Sequence, residues 1–305
     1  MAVCPAWTTS DPAAHSSFDG APTWVPRCAF RITTVIAMAR RRTETVLARR
    51  VTVGEAAIAG RRPDEVIIEE PLEIRLDGQL VGTTMRTPGH DFELAVGLCF
   101  TDGLLGGAPV LSCRYCGTGS AVETEFNVVS VDTGGTAPVP EQRLSTASSS
   151  CGICGSVQLD ELTDRLVPVP EHEPWDLQML LGVVEAVRDA QELFDRTGSV
   201  HAAAAFRRDG VVELVREDIG RHNAVDKVVG RLLLDGGLPA VDRALFVSGR
   251  ASFEMVQKAW AAGFEMVLAV SAPSALAVHT ATRAGMTLCG FVRDDAFNVY
   301  TAPDH

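Results

Sequence analysis

Residues 244–292 read ALFVSGRASFEMVQKAWAAGFEMVLAVSAPSALAVHTATRAGMTLCGFV. Three short apolar runs, Ala244–Val247, Met266–Val270 and Thr287–Val292, are separated by segments long enough for three turns of helix, Ala251–Ala262 and Ser274–Ala284. Strands alternating with helices predict a sheet layered by helices, an α/β arrangement. Working towards the N-terminus, a helix is expected from Asn223 to Leu234. Before it, Ser199–Phe206 and Val211–Val215 flank Arg208-Asp209-Gly210 as a hairpin. Asp176 is placed to cap one long helix, LQMLLGVVEAVRDAQELF (177–194), that ends before Gly198.

The first half reads differently. Residues 66–76 (VIIEEPLEIRL), Asp77-Gly78 and 79–87 (QLVGTTMRT) predict a hairpin, because Asp-Gly supplies the positive φ angles of a tight turn. Asp91 can cap a short helix with Leu94, Ala95, Leu98 and Cys99 on one face, ending near Gly103, and Val122–Val131 alternates like a strand. Residues 132–147 (DTGGTAPVPEQRLSTA) carry the Gly, Pro, Ser and Thr content of a mobile loop. The expected organisation is a basic, disordered tail over 1–50, a small α+β domain over 51–156 and an α/β domain over 157–305.

At 305 residues with 46% hydrophobic and 22% charged residues, the chain can build a core without disulfide staples. Its eight cysteines (4, 28, 99, 113, 116, 151, 154 and 289) do not form the dense framework of a small secreted domain, which points to a reducing, cytoplasmic setting. No apolar run approaches the roughly 20 residues that span a bilayer, and a net charge of −12 disfavours nucleic acid as a partner. Arginines 27, 31, 40, 41, 42, 49, 50, 61 and 62 nevertheless make the N-terminal region basic. Met38 is an alternative start to Met1.

Chemistry concentrates at Ser148-Ser149-Ser150-Cys151-Gly152-Ile153-Cys154-Gly155, where two thiols sit among residues with little side chain to bury. Such a Cys-x-x-Cys can ligate metal, exchange disulfides, or carry a persulfide on one sulfur that the other resolves. With Cys113 and Cys116 it could complete a Cys₄ zinc site. The 34 residues between Cys116 and Cys151 exceed the usual interval of about 15 to 20. His201, on a strand, could point into a cleft. Glu217-Asp218-Ile219-Gly220-Arg221-His222-Asn223, Ser248-Gly249-Arg250-Ala251-Ser252 and Ser271-Ala272-Pro273-Ser274 each join a strand end to a helix start. In an open α/β sheet such turns converge on one crevice, and free amides at helix starts bind anions.

Five motifs together resemble one family: Arg86-Thr87-Pro88-Gly89-His90-Asp91-Phe92-Glu93-Leu94-Ala95; Cys151-Gly152-Ile153-Cys154-Gly155; Glu217-Asp218-Ile219-Gly220-Arg221-His222-Asn223-Ala224-Val225-Asp226-Lys227; Ser248-Gly249-Arg250-Ala251-Ser252-Phe253-Glu254-Met255; and Gly290-Phe291-Val292-Arg293. They occur in the order found in the formate dehydrogenase accessory sulfurtransferases, the FdhD family. The resemblance implies a homodimeric sulfur carrier that accepts persulfide sulfur from a cysteine desulfurase and passes it to the bis-molybdopterin guanine dinucleotide cofactor of formate dehydrogenase. It implies a C-terminal domain similar to the cytidine deaminase fold without its zinc, with no metal of its own. Cys151 would carry the persulfide and Cys154 assist. Phe291, Val292, Arg293, Asp294, Asp295 and Ala296 would fall on the cofactor-binding stretch, with Arg221, Arg250, Ser271 and Ser274 completing the crevice. Asp294 and Asp295 put acid where an anionic dinucleotide is expected, so backbone amides would have to make that contact. The competing readings are a structural zinc protein and a nucleotide-binding chaperone that transfers no sulfur.

Overall fold

The computed structural model describes residues 40–51, 60–115, 122, 124–139, 163–293 and 296–303. Strands β1 (Thr43–Ala48) and β2 (Arg62–Ile67) form an antiparallel two-stranded ribbon. β3 (Glu70–Leu76), β4 (Gln79–Arg86), β5 (Ser112–Tyr115) and β6 (Val128–Asp132) form a four-stranded sheet in the order β4-β3-β6-β5. Helix α1 (Asp91–Thr101) covers that sheet, burying Leu94, Ala95 and Cys99 against Leu72, Ile74 and Val129. The predicted turn is present, with Asp77 at φ 48° and Gly78 at φ 84°, both in the left-handed region that a two-residue hairpin requires.

The second half carries a short 3₁₀ turn (Leu177–Met179), α2 (Leu180–Asp189), α3 (Glu192–Thr197), β7 (His201–Arg207), β8 (Val212–Asp218) and α4 (Arg221–Leu234). β9 (Arg243–Val247), α5 (Phe253–Ala262), β10 (Met266–Ala269), α6 (Ala275–Ala284), β11 (Thr287–Arg293) and β12 (Ala296–Thr301) complete it. The six strands lie in the order β12-β11-β10-β9-β7-β8. β9, β10 and β11 are parallel, and β7 and β12 run against their neighbours. Two cores flank the sheet, which makes three layers. Ala203 and Ala205 face α4, α5 and α6, whereas Ala202, Ala204 and Phe206 face α2, the alternation that a strand imposes. The α/β class read from 244–292 is therefore the observed one.

Several local expectations are corrected. The apolar run at 66–76 is not one strand: β2 turns away to pair with β1, and only Glu70–Leu76 pairs with β4. Thr43–Ala48, inside the expected tail, is a strand whose ribbon is tied to α3 by ion pairing of Arg196 with Glu65. The helix expected over 177–194 is broken after Asp189, because the Glu217 carboxylate accepts from the Leu193 and Phe194 amides (2.9 and 2.8 Å) and starts α3 afresh. Asp176 does cap, accepting from Gln178 N at 3.0 Å. His90, rather than Asp91, is the capping residue of α1. Val122–Val131 yields a strand only from Val128, and the front of the expected loop is pinned through Thr133, which donates its N and Oγ1 to Asp77 (2.7 and 2.5 Å).

Candidate cofactor-binding edge of the C-terminal sheet

Because β8, β9, β10 and β11 point the same way and β7 runs opposite, four strand C-termini and the start of β7 share one sheet edge. Helices α4, α5 and α6 each begin there, so their free amides and positive dipole ends converge. The turns are laced together. Ser271 N donates to Gly249 O (3.2 Å), Ser274 N to Ala251 O (3.0 Å) and Phe291 N to Ser271 O (3.3 Å). Ser248 donates its N to Ala202 O and accepts from Ala202 N, both at 2.9 Å, which fixes the β9 turn to β7. His201 lies beside this turn: a Cβ on Gly249 would be 3.5 Å from its Nδ1. Burial and the nearby Arg221 guanidinium hold His201 below the ordinary imidazole range.

The edge thus gathers Arg221, Arg250, Ser271, Ser274 and Phe291. Arg250, Arg293 and Ala296 are exposed, and Phe291 is exposed with a left-handed φ of 55°. Two expected contributors are occupied otherwise. Val292 is buried in the core on the α2 side, so only its backbone faces outward, and Ser274 Oγ is spent capping α6 by accepting from Ala277 N at 3.1 Å. Asp294 and Asp295 lie outside the described residues. Two buried donors at this edge, Arg221 Nε and Ser252 Oγ, have no hydrogen-bond partner among the described residues, and a third, Arg42 Nε, lies beside Gly89. Unsatisfied buried donors of this kind are unfavourable unless something accepts from them, and an anion does so best.

The acidic part of the 217–227 motif plays another part, one that sequence reading missed. Asp218 and Lys227 form a fully buried ion pair at 2.6 Å. Asp218 also accepts from Thr87 N (3.2 Å), Gly220 N (2.8 Å) and Asn223 Nδ2 (2.9 Å), while Lys227 Nζ donates to Thr87 O (3.1 Å). Thr87 Oγ1 accepts from Ile219 N at 3.1 Å. The 86–95 and 217–227 motifs are therefore two halves of one clamp between the four-stranded and six-stranded parts of the fold. Arg86, itself buried, is held by Asp91, Glu70 and Asn127. Only the co-occurrence of the two motifs hinted at their contact. His222, on the α5 side of α4, is pushed down to about 4 by burial, with Lys258 and Arg221 adding to it.

Cys151, Cys154 and Cys116 fall outside the described residues. Cys113 packs partly buried against the N-terminal core that contains Cys99, and burial pushes its thiol up. Among the described residues no group of three or more His, Cys, Asp or Glu is arranged to hold a metal, and no helix is long and apolar enough to cross a membrane.

Comparison with known proteins bears on these motifs directly. Over residues 67–305 the chain matches the model of the FdhD/NarQ family. It is 45% identical over 263 residues to the "Sulfur carrier protein FdhD" of Mycolicibacterium paratuberculosis, covering 84% of this chain and 97% of that protein. To the protein of the same name from Corynebacterium efficiens it is 46% identical over 249 residues, covering 78% and 90%. Its fold is similar to the crystal structure of a protein described as a formate dehydrogenase accessory protein from Desulfotalea psychrophila, with a TM-score of 0.68, 23% identity and coverage of 86% of this chain and 98% of that one. A family match over residues 67–305, which include both larger sheets and the clamp between them, places this chain in the FdhD/NarQ family.

Proposed function

We propose that this protein is a sulfur carrier that serves formate dehydrogenase, taking sulfane sulfur from a cysteine desulfurase on Cys151 and passing it to the bis-molybdopterin guanine dinucleotide cofactor. The observation that carries this reading is 45% identity across 97% of a relative named as a sulfur carrier, in a chain that itself contains the Cys151-x-x-Cys154 pair. The Cys151 thiolate would attack the terminal sulfur of the donor persulfide and release the donor cysteine as thiolate, so loading needs no oxidant. Unloading as hydrosulfide needs two electrons. Cys154 would supply them by attacking Cys151 Sγ, leaving a Cys151–Cys154 disulfide that a cellular dithiol reduces.

The strand-end edge is the surface on which the anionic cofactor substrate would rest. Its pyrophosphates would accept from the amides that open α4, α5 and α6 and from Arg221, Arg250 and Arg293, offsetting a net charge of −12. Action in the cytoplasm as a homodimer belongs to the same reading. Intact-mass measurement after incubation with a desulfurase and cysteine tests it: wild type should gain about 32 Da per transferable sulfur, and Cys151→Ala should not. A Cys151→Ala protein that restores full formate dehydrogenase activity to a strain lacking the wild type would overturn it. Cys154→Ala should be milder or comparable, since an outside thiol can resolve a persulfide.

A further inference from the structure

The basic segment near the N-terminus, for which sulfur transfer has no use, folds as the β1–β2 ribbon, and almost all of it lies ahead of residue 67, where the family match begins. We propose that the outer edge of β1 is a docking strand for an extended acidic segment of a partner protein, which adds to the ribbon as a third strand. Register shows which groups the segment would meet. Ile68 N donates to Arg42 O at 2.9 Å, so these two residues form a hydrogen-bonded pair, and in an antiparallel ladder such pairs alternate. Glu44, Val46 and Ala48 therefore turn their backbone groups towards β2, whereas Thr45 and Leu47 turn theirs outward. Pro63 sits opposite Leu47, in a pair that asks no N–H of it, which agrees with this phase. Among the described residues β1 pairs with no strand but β2, and Glu44 to Leu47 are exposed. An open edge of this kind is a template for one more strand.

Charge selects the occupant. Arg41, Arg49, Arg50, Arg61 and Arg62 are exposed on and beside the ribbon, and none has an ion pair among the described residues; the exposed acids there are Glu44 and Asp64. The whole chain carries a net charge of −12, so the ribbon is a basic element on an acidic protein. An anionic bilayer or a nucleic-acid duplex presents negative charge over an area far wider than two strands, and would confront the acidic remainder as well. A single extended segment meets the ribbon alone, and the guanidinium fork matches its carboxylates. Exposed Val46, Leu47 and Val51 add apolar contacts among the arginines, so carboxylates alternating with apolar side chains fit best. The ribbon is also held ready. Arg196 of α3 pairs with Glu65 and donates to Thr43 Oγ1 at 2.9 Å, which anchors the strands through their side chains and leaves the backbone edge of β1 unused.

The test uses the full-length protein and a fluorescein-labelled peptide of alternating Glu and Val, about ten residues long, the upper end of ordinary strand length. Anisotropy at low ionic strength should show saturable binding with a midpoint on the order of 100 μM, weakening as salt rises. The same peptide with Lys in place of Glu should not bind. Its fully N-methylated form, which keeps the charge and loses every ladder donor, should bind at least about tenfold more weakly. Arg49→Glu with Arg50→Glu should weaken binding by a similar factor. Thr45→Pro removes an outward N–H while sparing the β1–β2 bonds, and should weaken it severalfold. Absence of saturation up to about 10 mM, equal binding of the N-methylated peptide, or binding unchanged in the arginine variant would overturn the proposal. Tighter binding to phosphatidylglycerol vesicles or to duplex DNA than to the peptide would also overturn it, by assigning the ribbon to a broad anionic surface. Should Thr45→Pro disrupt the ribbon, the N-methylated peptide and the arginine variant still decide.

Discussion

Gly97 on α1 and Gly230 on α4 bring the two helices into backbone contact: a Cβ on Gly97 would lie 1.9 Å from Asp226 O, and one on Gly230 would lie 1.8 Å from Glu93 O. Neither obstruction is a flexible side-chain tip, so relief requires moving a helix. Since α1 packs on the N-terminal sheet and α4 on the C-terminal one, this crossing sets how closely the two sheets' layers approach. Gly97→Ala and Gly230→Ala should each destabilise by about 3 kcal/mol or more, at or beyond the upper end of overpacking costs. Gly82→Ala, at a position with open space around it, is the control and should stay within about 0.5 kcal/mol of wild type in urea melts.

The clamp between the 86–95 and 217–227 segments gives a second expectation. Replacing Asp218 by Asn leaves Lys227 buried without its counter-ion, and the loss should be about 3–5 kcal/mol. The double variant Asp218→Asn/Lys227→Met should recover part of that loss, because no uncompensated charge remains. A double-mutant cycle by chemical denaturation reads the coupling directly. A sum of independent losses would show that the pair does not act as a unit.

Acid should weaken the same interface through His222 and Glu93. His222 is held near 4 in the folded protein against about 6.5 unfolded, so between those values the unfolded chain binds the extra proton and stability falls as pH drops. Burial raises the Glu93 carboxyl, but hydrogen bonds from Arg216 Nε and Nη2 (2.5 and 2.9 Å), with His90 helping, outweigh it and set the group at about 2. Its contribution is full above the unfolded value of about 4.3 and is lost as pH falls towards 2. Unfolding free energies of wild type should therefore decline from pH 6.5 to 4 and again below. His222→Gln should flatten the first decline and Glu93→Gln the second.

What was legible in the sequence follows from how local each signal is. The strands and helices of 244–292 are fixed by periodicity within a dozen residues, and the Asp77-Gly78 turn by two residues; all of them are present. The break after Asp189 is not local. It depends on Glu217, more than twenty residues on, turning its carboxylate onto the α3 amides. The ribbon β1–β2 escaped for a related reason. Its arginine-rich flanks read as solvated tail, and its pairing partner lies beyond an intervening segment. At the candidate site, convergence of the strand-end turns was legible because parallel α/β topology dictates it. That Asp218 and Lys227 are consumed internally was not, since a charged turn looks the same whether it faces solvent or a distant segment of the chain such as Thr87.

Zinc across the two Cys-x-x-Cys pairs offers a clean test of the competing structural reading. A zinc ligand must be a thiolate, whereas Cys113 packs against a core whose burial pushes its thiol up. As-isolated protein should hold well under one zinc per chain by elemental analysis. One zinc per chain, lost in either Cys113→Ala or Cys154→Ala, would replace the carrier reading of the cysteines with a structural knuckle.

The strand-end edge yields the last expectation. Arg221 Nε and Ser252 Oγ are buried there without acceptors among the described residues, and Arg250 and Arg293 are exposed on the same edge. A pyrophosphate bound at this edge would satisfy donors that are otherwise desolvated at a cost, so guanosine diphosphate should bind measurably by calorimetry. Affinity should fall as salt rises, because exposed charges carry part of the attraction. Arg250→Ala with Arg293→Ala should weaken binding at least tenfold, about 1.4 kcal/mol, and adding Arg221→Ala should weaken it further. His201 reports the same event independently. An anion that neutralises Arg221 removes one of the influences holding the imidazole down, so its pKa should rise on nucleotide binding. Absence of binding at millimolar nucleotide, or binding indifferent to both arginines, would place the cofactor elsewhere.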